Sequence, residues 1–345
     1  MNKKHYDVDL CIIGAGSGGL SIAAGAAQLG RSVVLYEADE MGGDCLNYGC
    51  VPSKALIAAG KHAHALTAGE AFGVARAKAK VDFEKVKSHI QGVIETIAPV
   101  DSQERFEGLG CIVIRERARF KDKHTVESET TEVKAKRVVI ATGSRASAPP
   151  IPGLDTTPYL TNETIFSVDE LPSHLLVIGA GPIGLELGQS FNRLGSKVEI
   201  IDIAPPLTRS EPEHAKILTQ ALEDEGVVFH APVKTQEIRK SKTGVEVKLE
   251  GGQVLKGSHL LIAAGRRPVM DGLELEKAGI EYDRRGIKTD ECLRTTNSKV
   301  FAVGDVSGRG GLTHAAGYHA GIIIKAFYFL PPLIDRWKGL SLIHI

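Results

Sequence analysis

Two cysteines that lie close together in the sequence are the residues whose types and spacing could do chemistry. Cys45 and Cys50 are separated by four residues, in a glycine-rich run that ends at Lys54. Pro52 and the apolar residues after Lys54 predict a helix that begins here, with the Cys50 thiol near its N-terminus. The positive end of the helix dipole and the Lys54 ammonium would both favour a thiolate, the reactive form of cysteine.

The cysteines alone leave two other interpretations open, because they could also be buried for structural reasons or be half of a metal site. Structural zinc needs four ligands and this neighbourhood offers two, so we predict no metal site. Cys11, Cys111 and Cys292 are scattered and do not form the framework of a secreted, disulfide-rich protein. We therefore expect a cytoplasmic protein in which any disulfide is catalytic.

The composition is that of a folded protein with small-molecule or protein partners. The chain has 345 residues, of which 43% are hydrophobic and 24% charged, so two or three domains are expected. Lys+Arg and Asp+Glu are equal at 42 each, and no basic run interleaves with aromatic residues, so we expect no nucleic-acid partner. No run approaches the roughly 18 apolar residues of a membrane span, so we expect no membrane insertion.

A glycine motif precedes the cysteines. An apolar strand candidate leads into Gly14, Gly16 and Gly19, and a helix of small residues follows. A second apolar run ends in Glu37, 23 residues after Gly14. This order of strand, glycine turn, helix and acid is typical of a dinucleotide site, in which the pyrophosphate lies at the helix N-terminus and the acid binds ribose hydroxyls.

The same pattern occurs again later in the chain. Gly179, Gly181 and Gly184 follow an apolar strand candidate, and Asp202 lies 23 residues after Gly179. Two matches with one spacing predict two dinucleotide sites. A carboxylate at Asp202 would bind a free ribose 2′-hydroxyl, so we predict NAD, with NADP less favoured.

The remaining segments complete the predicted domains. Segments 111–114, 118–120, 124–127 and 132–136 are predicted to form an antiparallel meander. Strand 138–140 would end near Thr142 and Gly143, a later strand at Gly265, and strand 299–304 would deliver Asp305 at its carboxyl end. We place domain boundaries after 150, where prolines cluster, and after 270.

Together these features resemble the flavin-dependent pyridine nucleotide-disulfide oxidoreductases, a family that includes dihydrolipoamide dehydrogenase and mercuric reductase. The most specific motif is GGDCLNYGCVPSK, supported in order by GAGSGG, ATGS, GAGPIG and VFAVGD. The resemblance implies an α/β fold with two Rossmann-like domains of three layers, a parallel sheet plus an antiparallel meander in each. The NAD domain (151–270) would be inserted between the two parts of the FAD domain (1–150 and 271–330).

The resemblance also implies roles for individual residues. Cys50 would lie against the flavin, Cys45 would exchange with a small disulfide or dithiol substrate, and Lys54 would approach the flavin and pair with Glu186. FAD would be bound by Gly14, Gly16, Gly19, Glu37, Gly43, Lys54, Thr142, Gly143 and Asp305. The nicotinamide nucleotide would be bound by Gly179, Gly181, Gly184, Asp202 and Gly265.

Two features depart from the family pattern. Family members continue into a dimerisation domain that supplies a His-Glu pair, and residues 331–345 do not resemble it, so we expect a shortened and monomeric chain where full-length relatives are homodimers. Tyr48 replaces a small aliphatic residue of the best-known members. The primary interpretation is a dihydrolipoamide dehydrogenase-like enzyme. The alternatives are a mercuric reductase-like or other disulfide reductase, and a non-catalytic fragment that binds FAD and NAD.

Overall fold

The computed structural model describes residues 3–77 and 79–329, so the predicted tail at 331–345 lies outside the described residues. The α-helices are α1 (Ser17–Gln28), α2 (Gly43–Asn47), α3 (Cys50–Ala68), α4 (Phe83–Ile97), α5 (Gln103–Gly108), α6 (Pro182–Leu194), α7 (Pro212–Asp224) and α8 (Thr313–Tyr328). Short 3-10 helices span Gly69–Phe72, Ala98–Asp101, Leu154–Thr156, Ile165–Ser167, Leu275–Ala278 and Gly304–Ser307.

The strands alternate with these helices at both ends of the chain. They are β1 (Lys4–Ile13), β2 (Val33–Tyr36), β3 (Cys111–Ile114), β4 (Arg119–Phe120), β5 (Thr125–Glu127), β6 (Thr131–Ile140), β7 (Ser144–Ala146), β8 (His174–Ile178), β9 (Lys197–Ile201), β10 (Val228–His230), β11 (Thr235–Ser241), β12 (Gly244–Leu249), β13 (Val254–Gly257), β14 (His259–Ile262), β15 (Arg266–Pro268), β16 (Tyr282–Asp283), β17 (Gly286–Ile287) and β18 (Val300–Ala302).

The chain divides into two compact units, which we describe separately. The described part of the first unit comprises residues 3–47, 96–145 and 267–329. The second comprises residues 48–77, 79–95 and 146–266. The division after 47 falls between the two cysteines in sequence. The domain boundaries at 150 and 270 stay a prediction.

A seven-stranded sheet organises the first unit. Its parallel strands run in the order β3-β2-β1-β6, and the far edge of β6 pairs with β5 at its start and with β18 at its end. Backbone bonds join the carboxyl ends: Gly14 N donates to Tyr36 O at 2.8 Å and Ala141 N to Ile13 O at 2.7 Å. The loops after β1, β2 and β6 therefore leave the sheet at one edge, where ligands of parallel sheets bind.

The predicted meander is wrong for its first strand. Segment 111–114 forms β3, which pairs in parallel with β2 in the register Val33↔Cys111. Helices separate β3 from β2 in sequence, and such a crossover is what parallel pairing requires. Segments 118–120 and 124–127 do form antiparallel strands, and 132–136 and 138–140 merge into the single strand β6.

Alternating side chains of the sheet fill two cores in this unit. Cys11 and Ile13 pack on one face, while Leu10 and Ile12, both fully buried, pack on the other. Helices α1 and α8 cover the second face, where the small residues of α1 allow a close approach. A Cβ at Gly18 would lie only 3.3 Å from Val303 and 3.5 Å from Ala316.

The second unit is built from three layers. Its parallel sheet has the order β10-β9-β8-β14, and Leu160 bridges Leu261 beyond β14. Helices α3 and α6 pack on one face, where Gly60 permits contact because a Cβ there would already lie 3.3 Å from Ser190 O. The antiparallel sheet β11-β12-β13 covers the other face. The predicted α/β class, with parallel sheets and antiparallel strands, is confirmed.

Across the described ranges, no helix is both long and apolar enough to cross a membrane.

Candidate active site

The first glycine loop lies between β1 and α1 and depends on its missing side chains. Gly14 has a φ of +109°, and a Cβ there would lie 2.5 Å from Ala141 O. A Cβ at Gly19 would lie 1.9 Å from Gly14 O, so the first turn of α1 packs directly on the loop backbone. Gly16 is the N-cap residue, and among the described side chains none caps this helix end. Its N–H groups are therefore suited to an anion.

Glu37 closes this loop from the end of β2. Its Oε2 accepts from Ala15 N at 2.6 Å and its Oε1 from Asp39 N at 2.8 Å. Each carboxylate oxygen has a second lone pair, so ribose hydroxyls can still bind. The acid therefore shapes the loop and keeps acceptor positions available.

Asp305 and the loop after β6 lie at the same sheet edge. Ser144 Oγ donates to Asp305 Oδ2 at 2.5 Å. Thr142 Oγ1 donates to Val269 O at 2.7 Å, and Gly143 turns with a φ of +68°. The structure thus brings Thr142, Gly143 and Asp305 together with the first glycine loop.

A buried histidine supports Asp305 from helix α8. His319 is fully buried, and its Nδ1 accepts from Gly304 N at 3.0 Å. Burial, reinforced by the Arg309 guanidinium, lowers the pKa of His319 to about 4. The imidazole is therefore neutral at physiological pH, which leaves Nδ1 able to accept.

The second glycine loop repeats the first in detail. Gly179 has a φ of +118°, and a Cβ there would lie 2.4 Å from Ala263 O. A Cβ at Gly184 would lie 2.0 Å from Gly179 O. Around Gly181 the described chain leaves open space, with no atom within 4 Å of a Cβ. The N-terminus of α6 is again available to an anion.

Asp202 occupies in this loop the position that Glu37 has in the first. Its Oδ2 accepts from Ala180 N at 2.7 Å and its Oδ1 from Ala204 N at 2.9 Å. Leu207 N donates to Ala180 O at 3.0 Å, with Leu207 at a φ of +53°. Gly265 follows β14 with a φ of +135°, and its O accepts from Ser147 N at 3.0 Å.

Helix α2 carries Cys45 and rests on the first glycine loop. Gly43 begins this helix with a φ of +59°, and a Cβ there would lie 2.7 Å from Gly16 Cα. Asn47 Nδ2 donates to Met41 O and Gly43 O, both at 3.0 Å. Glycine at 43 therefore permits the backbone contact between the cysteine-bearing helix and the loop.

Helix α3 begins at Cys50 itself, at the end of the glycine-rich run where a helix was predicted to begin. Cys50 is exposed, and the first turn carries no acidic residue. Ser53 N donates to Gly49 O at 3.0 Å and so closes the first turn. Lys54 follows one turn later, and its Nζ lies 3.0 Å from Glu186 Oε2 on α6. The Cys50 side chain therefore lies at the N-terminus of α3, one turn before the Lys54 ammonium.

The sequence matches a known family over most of its length. Residues 8–320 match the profile of the pyridine nucleotide-disulphide oxidoreductases. The chain belongs to this family. Membership implies a flavin and a pyridine nucleotide as cofactors, and the predicted oxidoreductase class is confirmed.

The relatives of this oxidoreductase include two enzyme types. A mercuric reductase from Streptomyces lividans is 36% identical, over 94% of this chain and 70% of that protein. A dihydrolipoyl dehydrogenase from Thermus scotoductus is 38% identical, over 91% of this chain and 68% of that protein. A solved structure, the HOCl-induced flavoprotein disulfide reductase RclA from Escherichia coli, is 29% identical with a TM-score of 0.83, covering 92% of this chain and 70% of that one.

The oxidoreductase chain matches only part of each relative. Its matches cover between 52% and 70% of the first four curated proteins. The activity, substrates and partners of the whole relatives are therefore proposals for this chain.

The loops of this oxidoreductase fit the cofactors that its family implies. At Gly14 and Gly179 any side chain would strike backbone, while the space at Gly181 is open. Two uncapped helix N-termini, each with an acid nearby, suit two pyrophosphates and two riboses. Within residues 3–77 and 79–329, no three His, Cys, Asp or Glu residues are grouped so as to hold a metal ion.

Sequence reasoning missed the contacts of three residues, two in the first unit and one in the second. Ser144 bonds Asp305, His319 bonds Gly304, and the buried Asn162 donates from Nδ2 to Tyr48 O at 3.3 Å. The stripe Ala315, His319 and Ile323 has helical spacing on the buried face of α8, so periodicity could have revealed His319 as a core residue. For Asn162 we find no sequence signal.

Proposed function

We propose that this chain passes electrons between NAD(P)H and the Cys45–Cys50 pair through bound FAD, and from the cysteines to a small disulfide. The observation that carries the proposal is the position of Cys50. Its thiol begins α3, one turn before Lys54, and Lys54 is ion-paired to Glu186 on the helix of the second glycine loop. This ion pair would couple the helix that begins at Cys50 to the helix that we propose binds the nicotinamide nucleotide.

The first glycine loop would hold the ADP part of FAD. The N–H groups of α1 would bind the pyrophosphate, Glu37 would accept from ribose hydroxyls, and Asp305 would accept from the ribityl chain. Ser144 keeps the Asp305 carboxylate oriented, and Gly43 closes the loop from the redox side. Bound flavin would supply the conversion between hydride transfer and thiol chemistry.

The second glycine loop would hold the nicotinamide nucleotide. Asp202 already orients the loop through Ala180 N and Ala204 N, and each of its oxygens keeps a lone pair that could accept from a ribose hydroxyl. A 2′-phosphate would bring negative charge to this carboxylate, so we propose NAD over NADP. Arg209 follows Asp202 by seven residues and adds one positive charge, which is not enough to reverse this preference.

The cysteines would complete a balanced cycle. Two electrons and two protons convert the Cys45–Cys50 disulfide into two thiols, at the expense of NAD(P)H and one further proton. The Cys45 thiolate then attacks the substrate disulfide and forms a mixed disulfide with it. The Cys50 thiolate attacks the Cys45 sulfur of this mixed disulfide, so the substrate leaves as a dithiol and the Cys45–Cys50 disulfide reforms. Lys54 would stabilise the Cys50 thiolate, and Glu186 would orient Lys54.

A substrate panel on the flavin-loaded chain tests this proposal. We expect NADH consumption with lipoamide or another small disulfide, loss of turnover in Cys45→Ser and in Cys50→Ser, and a higher efficiency with NADH than with NADPH. A chain that binds flavin and NADH without reducing any disulfide would instead be the non-catalytic alternative. Failure to bind flavin at all would contradict the whole proposal.

A mercuric reductase-like reaction is the second candidate. The similarity to the Streptomyces lividans mercuric reductase over 94% of this chain favours it, as does the Tyr48 that departs from the best-known disulfide reductases. The same cysteines would then bind mercuric ion as substrate. NADH oxidation that depends on mercuric ion and exceeds the rate with every disulfide would favour this candidate.

A further inference from the structure

We propose that Asn162 is a positioning residue for the redox segment, residues 45–50. Its side chain donates to the carbonyl of Tyr48, which lies between the two cysteines in the sequence. The inference rests on the proposed function of Cys45 and Cys50. Asn162 is 94% buried, with 6% of its surface exposed, and its Nδ2 donates to Tyr48 O at 3.3 Å. Burying an amide costs free energy unless it is hydrogen-bonded, so the bond has a clear physical reason.

The acceptor lies in the short connection between two helices. Helix α2 ends at Asn47 and helix α3 begins at Cys50, so Tyr48 and Gly49 are the whole connection between them. Gly49 then turns into α3 as its N-cap residue. An amide donated to Tyr48 O therefore fixes the connection just before this turn.

The donor is held more firmly than its loop position suggests. Leu160, two residues earlier, extends the parallel sheet through two backbone hydrogen bonds. Its N donates to Leu260 O at 2.7 Å, and its O accepts from Ile262 N at 2.8 Å. Thr161 then forms a compact turn in which its N donates to Thr164 Oγ1 at 3.0 Å and its O accepts from Ile165 N at 3.0 Å. Ile165 is fully buried. Asn162 thus connects a rigid sheet edge to the redox segment.

This anchor would favour the disulfide. When the cysteines are reduced, an anchored segment has fewer conformations to lose on closing the ring, so the disulfide costs less entropy. Without the anchor the reduced segment would be freer, and the disulfide would become easier to reduce. The role is separate from flavin and nucleotide binding, because it needs only the cysteines and the Tyr48 carbonyl.

Equilibration in glutathione buffers tests the inference on the flavin-loaded chain, without NADH. The cysteines are trapped by alkylation at a series of ratios of glutathione to glutathione disulfide, and the mass of the Cys45–Cys50 peptide is measured. We expect the equilibrium constant for disulfide formation to fall about fivefold in Asn162→Leu, which is about 20 mV at about 30 mV per tenfold. Asn162→Asp keeps the shape but lacks the donor, so it should change the constant in the same direction.

Asn192 offers a matched control in the same unit. Its Nδ2 also donates to a backbone carbonyl, that of Glu225, at 2.9 Å, far from the cysteines in sequence. Asn192→Leu should lower the unfolding temperature and leave the disulfide constant within twofold of wild type. A change in Asn192→Leu equal to that in Asn162→Leu would show a general loss of stability and overturn the inference.

The outcomes separate this inference from the proposed function. If Cys45 and Cys50 of the wild type form no disulfide in any buffer, the proposed function fails. If they form one, and folded Asn162→Leu and Asn162→Asp both match the wild-type constant, only the role of Asn162 is overturned. Circular dichroism of each variant establishes that it is folded before the titration.

Discussion

The two glycine loops share one backbone scheme and differ in what closes them. In each, the alanine after the first glycine donates its N–H to the acid at the end of the next strand, Ala15 to Glu37 and Ala180 to Asp202. In each, the same alanine accepts from a residue five positions after the acid, Gly42 at 3.0 Å and Leu207 at 3.0 Å. The scheme is therefore set by the glycines and the acid.

The two loops differ in the residues that follow Gly42 and Leu207. After Gly42, the first loop is met by Gly43, whose backbone is close to Gly16. After Leu207, the second loop continues to α7, and Gly181 stays open. One motif therefore builds two binding loops, and the first is in contact with helix α2, which carries Cys45. We expect substitutions at equivalent positions of the two loops to affect flavin binding and NADH binding separately.

The largest effects should come from the last glycine of each loop. A Cβ at Gly19 or Gly184 would lie within about 2 Å of a backbone oxygen, and backbone cannot move aside cheaply. We expect Gly19→Ala to abolish flavin retention, and Gly184→Ala to retain flavin while weakening NADH binding about a hundredfold. Flavin absorbance and NADH fluorescence titration measure the two effects. If either variant lost both ligands, the loops would not act independently.

Replacing Asp202 should affect the binding of NADH and of NADPH differently. Asp202→Ala removes a charged acceptor from Ala180 N and from the expected ribose, which should weaken NADH binding by about 2 kcal/mol. NADPH should bind no worse, so the NADH preference should shrink. Measured dissociation constants for both nucleotides check this. An unchanged NADH-to-NADPH ratio would refute the role of Asp202 in cofactor choice.

Acid should weaken the first unit, because burial keeps His319 neutral and its Nδ1 accepts from Gly304 N in the loop that carries Asp305. The folded-state pKa of about 4 lies below the ordinary value of 6.5, so the stabilisation is complete above pH 6.5 and is lost as the pH falls towards 4. At pH 5.5 the loss should be about 1.4 kcal/mol.

Urea unfolding at pH values between 7 and 5, with flavin release as the readout, measures this loss. His319→Asn retains an acceptor near the Nδ1 position but does not titrate, so its midpoint should depend less on pH. Equal pH dependence in wild type and variant would remove His319 from the explanation.

The smallest effect on stability should come from the pair that couples the redox segment to α6. Lys54 and Glu186 are 59% and 42% exposed, and such pairs contribute about 0.5 kcal/mol or less. Glu186→Gln should therefore leave the unfolding temperature almost unchanged while slowing disulfide turnover. A large loss of stability would mean that the pair is structural.

Much of this site could be predicted because it depends on local backbone geometry. Gly14, Gly19 and Glu37 follow a spacing that is typical of this loop conformation. What was missed depends on distant parts of the chain. The partner of β3 is set by topology, and Asn162 lies 114 residues from Tyr48, so no local pattern connects them.

The most direct test of the central claim is the number of thiols that NADH produces. The flavin-loaded chain, first oxidised, is treated anaerobically with excess NADH, alkylated and examined by mass spectrometry. We predict two new alkylated thiols per chain, at Cys45 and Cys50, and neither in an otherwise identical sample without NADH. Reduction of the flavin by NADH with Cys45 and Cys50 still joined in a disulfide would contradict the account.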